Sequence, residues 1–142
     1  MPGIRITSLV LTACVLALPV HAEIVEMRAE LSARNEVPPN PSTATGQGQV
    51  RLDTATGALS WTINYSGLSA PLSAAHFHGP ATTEGNAPVL VPIATAGAPS
   101  PLTGSATINQ AQAADLLAGR WYINLHTPNN PGGEIRGQVV RR

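Results

Sequence analysis

The chain of 142 residues has one cysteine, Cys14, and no lysine. A single thiol can form no internal disulfide, and a metal site built downstream of it must use ligands other than thiolate. The eight basic residues, all arginine, are matched by eight acids, giving a formal net charge of zero. No basic tract or stripe is present, and aromatic residues make up only 4% of the chain, so neither a phosphate-tracking surface nor a base-stacking platform for nucleic acid exists. Past residue 22 no apolar run approaches the roughly 20 residues of a membrane-spanning helix. What remains is rich in turn formers, with 13 glycines and 13 prolines, as in a compact domain with many short segments.

The N-terminus has its own pattern. Arg5 precedes an apolar run over residues 6–20 that is broken by Pro19, and Val20-His21-Ala22 supplies small residues before Glu23. A basic start, a short apolar stretch and a small-x-small site predict a signal peptide over residues 1–22, cleaved near Ala22. The remaining domain, residues 23–142, would then be periplasmic or secreted. Leu11-Thr12-Ala13-Cys14 also resembles a lipobox, which would tether the chain to a membrane through Cys14. The apolar residues 15–20 that follow argue against it. Cleavage at Ala22 removes Cys14 and His21, so that only His76, His78 and His126 remain of the histidines.

Short alternating segments separated by turn residues predict strands over residues 24–33, 48–53, 59–65, 73–78, 89–94, 105–108, 121–127 and 133–140. Leu59, Trp61, Ile63 and Tyr65 share one face, the expected core side. One helix is predicted over residues 110–117, capped by Asn109 and stopped by Gly119. The expected fold is all-β: an antiparallel Greek-key β-sandwich of seven or eight strands with one short helix in a crossover.

The histidines fall in Ala74-Ala75-His76-Phe77-His78-Gly79-Pro80 and Trp121-Tyr122-Ile123-Asn124-Leu125-His126-Thr127. Strand residues alternate between faces. His76 and His78 therefore share a face opposite Phe77, and Tyr122, Asn124 and His126 share one opposite Ile123 and Leu125. If residues 128–132 form a hairpin loop, His126 lies nearly opposite Glu134 and Asn124 nearly opposite Arg136, with Gln138 on the same side. Directly opposed Cβ atoms are about 5 Å apart, which brings an arginine and a glutamate to the histidine face. A slip of one residue would send that trio to the other face.

Three imidazoles suit copper, zinc, nickel or iron, and three protein ligands leave a position open, as in reactive rather than structural sites. Copper heads the divalent affinity order, so copper ranks first and zinc second. Ordinary explanations stand beside this one. His-x-His also arises in surface strands, an arginine on a polar sheet face is usually solvated, and Glu134 could be its salt-bridge partner, worth little at a surface. Trp61, Trp121 and Tyr122 read as packing residues.

Four segments carry a family resemblance: Asn35-Glu36-Val37-Pro38-Pro39, Ala75-His76-Phe77-His78-Gly79-Pro80-Ala81, the run from Asp115 through Thr127, and Pro131-Gly132-Gly133-Glu134-Ile135-Arg136-Gly137-Gln138. Together they resemble the CHRD domain over about residues 28–140, and secreted single-domain versions of bacterial type are what that implies. The two histidine strands are more loosely similar to the copper-ligand strands of copper/zinc superoxide dismutases, also Greek-key sandwiches. That family's fourth copper histidine, zinc ligands and disulfide have no counterpart here. The resemblance implies a copper-only dismutase in which His76, His78 and His126 hold copper and Arg136 steers superoxide. Glu134 or Asn124 would orient a ring through its non-metal nitrogen. Three rivals use the same residues: a copper buffer or carrier without turnover, an interaction module docking protein or carbohydrate on the polar face, and a hydrolytic zinc site with Glu134 as base. The sequence leaves the oligomeric state open, a dimer included, and does not fix which strands are neighbours.

Overall fold

The computed structural model describes residues 22–142. The leader expected over residues 1–22, with Cys14 and His21, lies outside the described residues except for Ala22. Strict alternation builds the first strands. In β1 (Ile24–Ser32), Val25, Met27, Ala29 and Leu31 are buried and the residues between them exposed or half-buried. In β2 (Thr45–Asp53) and β3 (Ala58–Ser66), Val50, Leu52, Leu59, Trp61 and Ile63 point inward likewise. There follow β4 (Ala74–His78), β5 (Val89–Ala94), β6 (Leu102–Thr107), helix α1 (Gln110–Leu117), β7 (Tyr122–Thr127), β8 (Asn130–Gln138) and the two-residue β9 (Val140–Arg141).

The strands are hydrogen-bonded in the order β5-β4-β7-β8-β1-β2-β3-β6, with β9 beside β1, and all pairings are antiparallel. The strands β8 and β1 meet through one pair, Ser32 with Arg136, which makes a corner in the sheet. The two halves on either side of it face each other across the core. Phe77 of β4 meets Trp61 of β3 edge to face, with ring centroids 5.2 Å apart, and Trp121 stands 5.9 Å from Phe77 on another side. The expected all-β antiparallel sandwich with one short helix is the fold observed, and the skips from β3 to β4 and from β6 to β7 give the out-of-sequence order of a Greek key. Among the described residues the strands number nine, because the short Val140–Arg141 segment pairs with β1 separately.

The helix occupies the predicted residues. Asn109 accepts from the Gln112 backbone and Gln112 accepts from the Asn109 backbone, a reciprocal cap. Strands β2 and β6 begin three residues earlier than expected, at Thr45 and Leu102. Glycine within a strand reads as a breaker, but Gly46 and Gly48 lie against Ile135 and Ile123 of the facing layer, and Gly104 lies against Trp61. There the missing side chain is filled by a large one opposite.

Phe77 is fully buried between two tryptophans. Phe77→Ala should therefore lower the unfolding free energy by about 3–5 kcal/mol, read as a lower urea midpoint at unchanged slope.

Candidate metal centre

The central pairing is β4 with β7, in which Ala74 opposes His126, His76 opposes Asn124 and His78 opposes Tyr122. His76 and His126 are therefore diagonal neighbours on one face, with His78 one step further along β4. Their ring centroids are separated by 5.1 Å (His76–His126), 5.6 Å (His76–His78) and 5.9 Å (His78–His126). One ring nitrogen from each lies within 4.8 Å of the other two, and the closest pair, His76 Nδ1 and His126 Nε2, is 3.3 Å apart.

Two of the rings have their tautomer set by backbone. His78 Nδ1 lies 2.9 Å from the carbonyl oxygen of Ala87, and His126 Nδ1 lies 3.0 Å from that of Pro131. A carbonyl only accepts, so each Nδ1 carries the hydrogen and each Nε2 keeps a lone pair. His78 Nε2 is buried with no hydrogen-bond partner. Burial lowers the pKa of all three histidines. Charge repulsion within the cluster adds to this at His76 and His78, while the Ala87 and Pro131 hydrogen bonds oppose it at His78 and His126. The group is thus three neutral bases, two with a defined lone pair. Bonds of about 2.0–2.1 Å at near-tetrahedral angles place donor nitrogens about 3.3 Å apart, the separation of the closest pair. His76 and His126 are half-buried, so the cluster is open to small solutes.

The expected neighbours are arranged less simply. Asn124 does oppose Arg136. Its amide donates to the Ile135 carbonyl and to the carboxylate of Glu36, not to a histidine. Arg136 is buried, only 1% exposed, where a solvated guanidinium is the usual case. Its side chain donates to Thr82 O (2.9 Å) and Asn86 Oδ1 (3.1 Å), and its Cζ lies 3.5 Å over the Tyr122 ring. Tyr122 in turn stacks parallel to His78, with centroids 5.0 Å apart.

Glu134 departs furthest from the register argument. The ladder shifts between Leu125 and Thr127, so Thr127 pairs with Asn130 and no direct His126–Glu134 pair forms. The carboxylate is fully buried and accepts from Ser42 Oγ, Ser69 N, Ser69 Oγ and Thr127 Oγ1. Burial opposes its charge, but the hydrogen bonds from Ser42, Thr127 and Ser69 outweigh it and hold the group at about 2. So acidic a carboxyl, with its oxygens engaged elsewhere, is ill suited to act as a base.

Sequence reasoning did not single out Glu36, Tyr122 or Ala87. Glu36 is 6% exposed. Burial pushes its carboxyl up to about 7, against the hydrogen bond from Asn124 and the charge of Arg136. The clue to Glu36 was its place in the motif beginning at Asn35. Tyr122 was readable as a polar-face residue beside the histidines. Ala87 acts through its carbonyl, and no residue type signals that. Gly133, at φ +129°, is required here because a Cβ would collide with Asn124 and Glu36.

Compared with known families, the chain matches the CHRD domain over residues 27–139. Nothing among curated proteins or solved structures matches it.

The two buried carboxyls pull stability in opposite directions with pH. Glu134 titrates at about 2 when folded against an ordinary 4.5, so the folded chain binds fewer protons in that interval and loses stability as pH falls through it. Glu36 titrates at about 7 against 4.5, so the folded chain binds more protons and loses stability as pH rises through that range. Urea unfolding at a series of pH values should show Glu134→Gln without the acid loss and Glu36→Gln without the decline toward neutrality.

Proposed function

The chain belongs to the CHRD domain family, and from that premise we propose that it is an exported copper protein that disproportionates superoxide at His76, His78 and His126. One observation carries the proposal: three imidazole nitrogens within 4.8 Å of one another, with the Nε2 of His78 buried and unpartnered. An orphaned buried acceptor is costly unless a ligand takes it up. Neutral imidazoles without thiolates suit copper first and zinc second.

Bound copper would supply a one-electron couple, through which two superoxide ions and two protons become O₂ and H₂O₂. The residues around it have other tasks. Backbone carbonyls of Ala87 and Pro131 hold the rings of His78 and His126 in the ligating tautomer. The half-buried His76 and His126 leave an approach for a small anion. Arg136 contributes a fixed positive charge across Tyr122 from His78, since β7 lies between β4 and β8. Such a charge favours anion approach.

A second reading, a periplasmic copper buffer or carrier, draws support from one feature. The guanidinium of Arg136 is already engaged by Thr82, Asn86 and Tyr122, so it is not poised to reorient onto an incoming anion.

The protein lacking residues 1–22 should take up one copper per chain, and each of His76→Ala, His78→Ala and His126→Ala should lose copper and superoxide consumption together. Stoichiometric copper with negligible superoxide consumption would establish the buffer. No copper affinity beyond that of a surface histidine pair would leave the interaction module. As pH falls, protons compete for the ring nitrogens, and the lowered histidine pKa values move release of copper below the ordinary imidazole range of about 6.5. Copper content measured against pH reads that midpoint.

A further inference from the structure

We infer that Arg136 and Tyr122 are positioning residues that set the tautomer of His78 through the loop joining β4 to β5. The metal consequence of this rests on the reading just given, but the tautomer itself does not. The loop, residues 79–88, has little to bury: Thr82, Thr83, Glu84 and Asn86 are exposed. Backbone bonds tie its start, Gly79 N to Pro88 O and Ala81 N to Arg120 O, and a row of side-chain hydrogen bonds from β7 and β8 holds the rest. Arg136 donates to Thr82 O and Asn86 Oδ1, and Gln138 donates to Ala81 O at 2.7 Å. The Tyr122 hydroxyl accepts from Ala87 N at 3.1 Å. Asn86 also reaches over to Val37 O at 2.8 Å, closing the loop onto the segment after β1.

The Tyr122 tie reaches Ala87 itself, the residue whose carbonyl receives His78 Nδ1, and the Arg136 and Val37 ties hold Asn86 just before it. The same two side chains also act on the face of the imidazole. Arg136 lies over the Tyr122 ring, and that ring is stacked on His78 at an interplanar angle of 4°. His78 is thus held at its edge by the loop carbonyl and on its face by the tyrosine, with Arg136 behind both. If the loop drifts, Nδ1 loses its acceptor and the proton is free to move to Nε2, which blocks the only unpartnered nitrogen of the ring. A planar fork that spans two acceptors while its carbon lies 3.5 Å over an aromatic ring is a geometry lysine cannot reproduce. An arginine held this way acts as a strut.

The test uses metal-free protein. Nitrogen-15 imidazole NMR should show His78 as a single Nδ1–H tautomer in the wild type. In Arg136→Ala, Arg136→Lys, Tyr122→Leu and the exposed-loop variant Asn86→Ala it should become an averaged mixture, while His126, anchored to Pro131, stays unchanged. Copper affinity should fall about 10–100-fold in the arginine variants, the usual cost of losing a partner that orients a ligand. Asn86→Ala lies outside the core and keeps the test valid should Arg136→Ala fail to fold. The strut role is overturned if His78 keeps its wild-type signals in Asn86→Ala and Arg136→Lys. It is equally overturned if Arg136→Lys restores full copper affinity, for then charge alone suffices. A wild type that takes up no copper while its His78 tautomer responds as described would sink the copper reading and leave the positioning role standing.

Discussion

The antiparallel pairing of β4 with β7 is the constraint on which the candidate site depends. It aligns two segments some fifty residues apart so that three imidazoles share one patch. The histidines themselves do not set this register. Ala75, Phe77, Ile123 and Leu125 on the opposite face of the same strands are fully buried, and a slip of one residue would turn all of them outward. The core therefore enforces the geometry of the polar face.

Above that face lies a layer of buried polar groups, and its two carboxyls are treated differently. Glu134 receives four hydrogen bonds from three separate segments of chain, which compensate a full negative charge without a cation. Glu36 has one side-chain donor, Asn124, and the nearby charge of Arg136, and burial dominates. One joins the connections after β1 and β3 to the β7–β8 turn. The other lies against Asn124 of β7, whose amide links it to the Ile135 carbonyl of β8.

Much of this was legible in the chain. Alternation located the strands because half-buried sheets expose and bury in turn, and Asn109 with Gly119 bracketed the helix because capping and left-handed termination are local chemistry. Parity placed His76, His78 and His126 on one face. The opposition of Asn124 and Arg136 followed from counting outward from the turn, and the same count failed at Glu134 because the ladder is irregular between Leu125 and Thr127. A bulge is a backbone event with no residue signature of its own here. The neighbour relation of β4 and β7 was not legible, since strand order is a property of the whole sheet. Nor was the burial of Arg136, which depends on a loop folding down over it.

The acceptors that orient two of the imidazoles are peptide carbonyls, at Ala87 and Pro131. Exchanging the side chains at those positions would leave both oxygens in place. Inserting or deleting a single residue in either connection would move them by a full peptide unit. The chemistry of this face is consequently sensitive to loop length more than to loop identity. A homologue that retained Gly79 and Asn86 could differ at the other positions up to Pro88 and keep the same donor set, provided the number of links between the strands did not change.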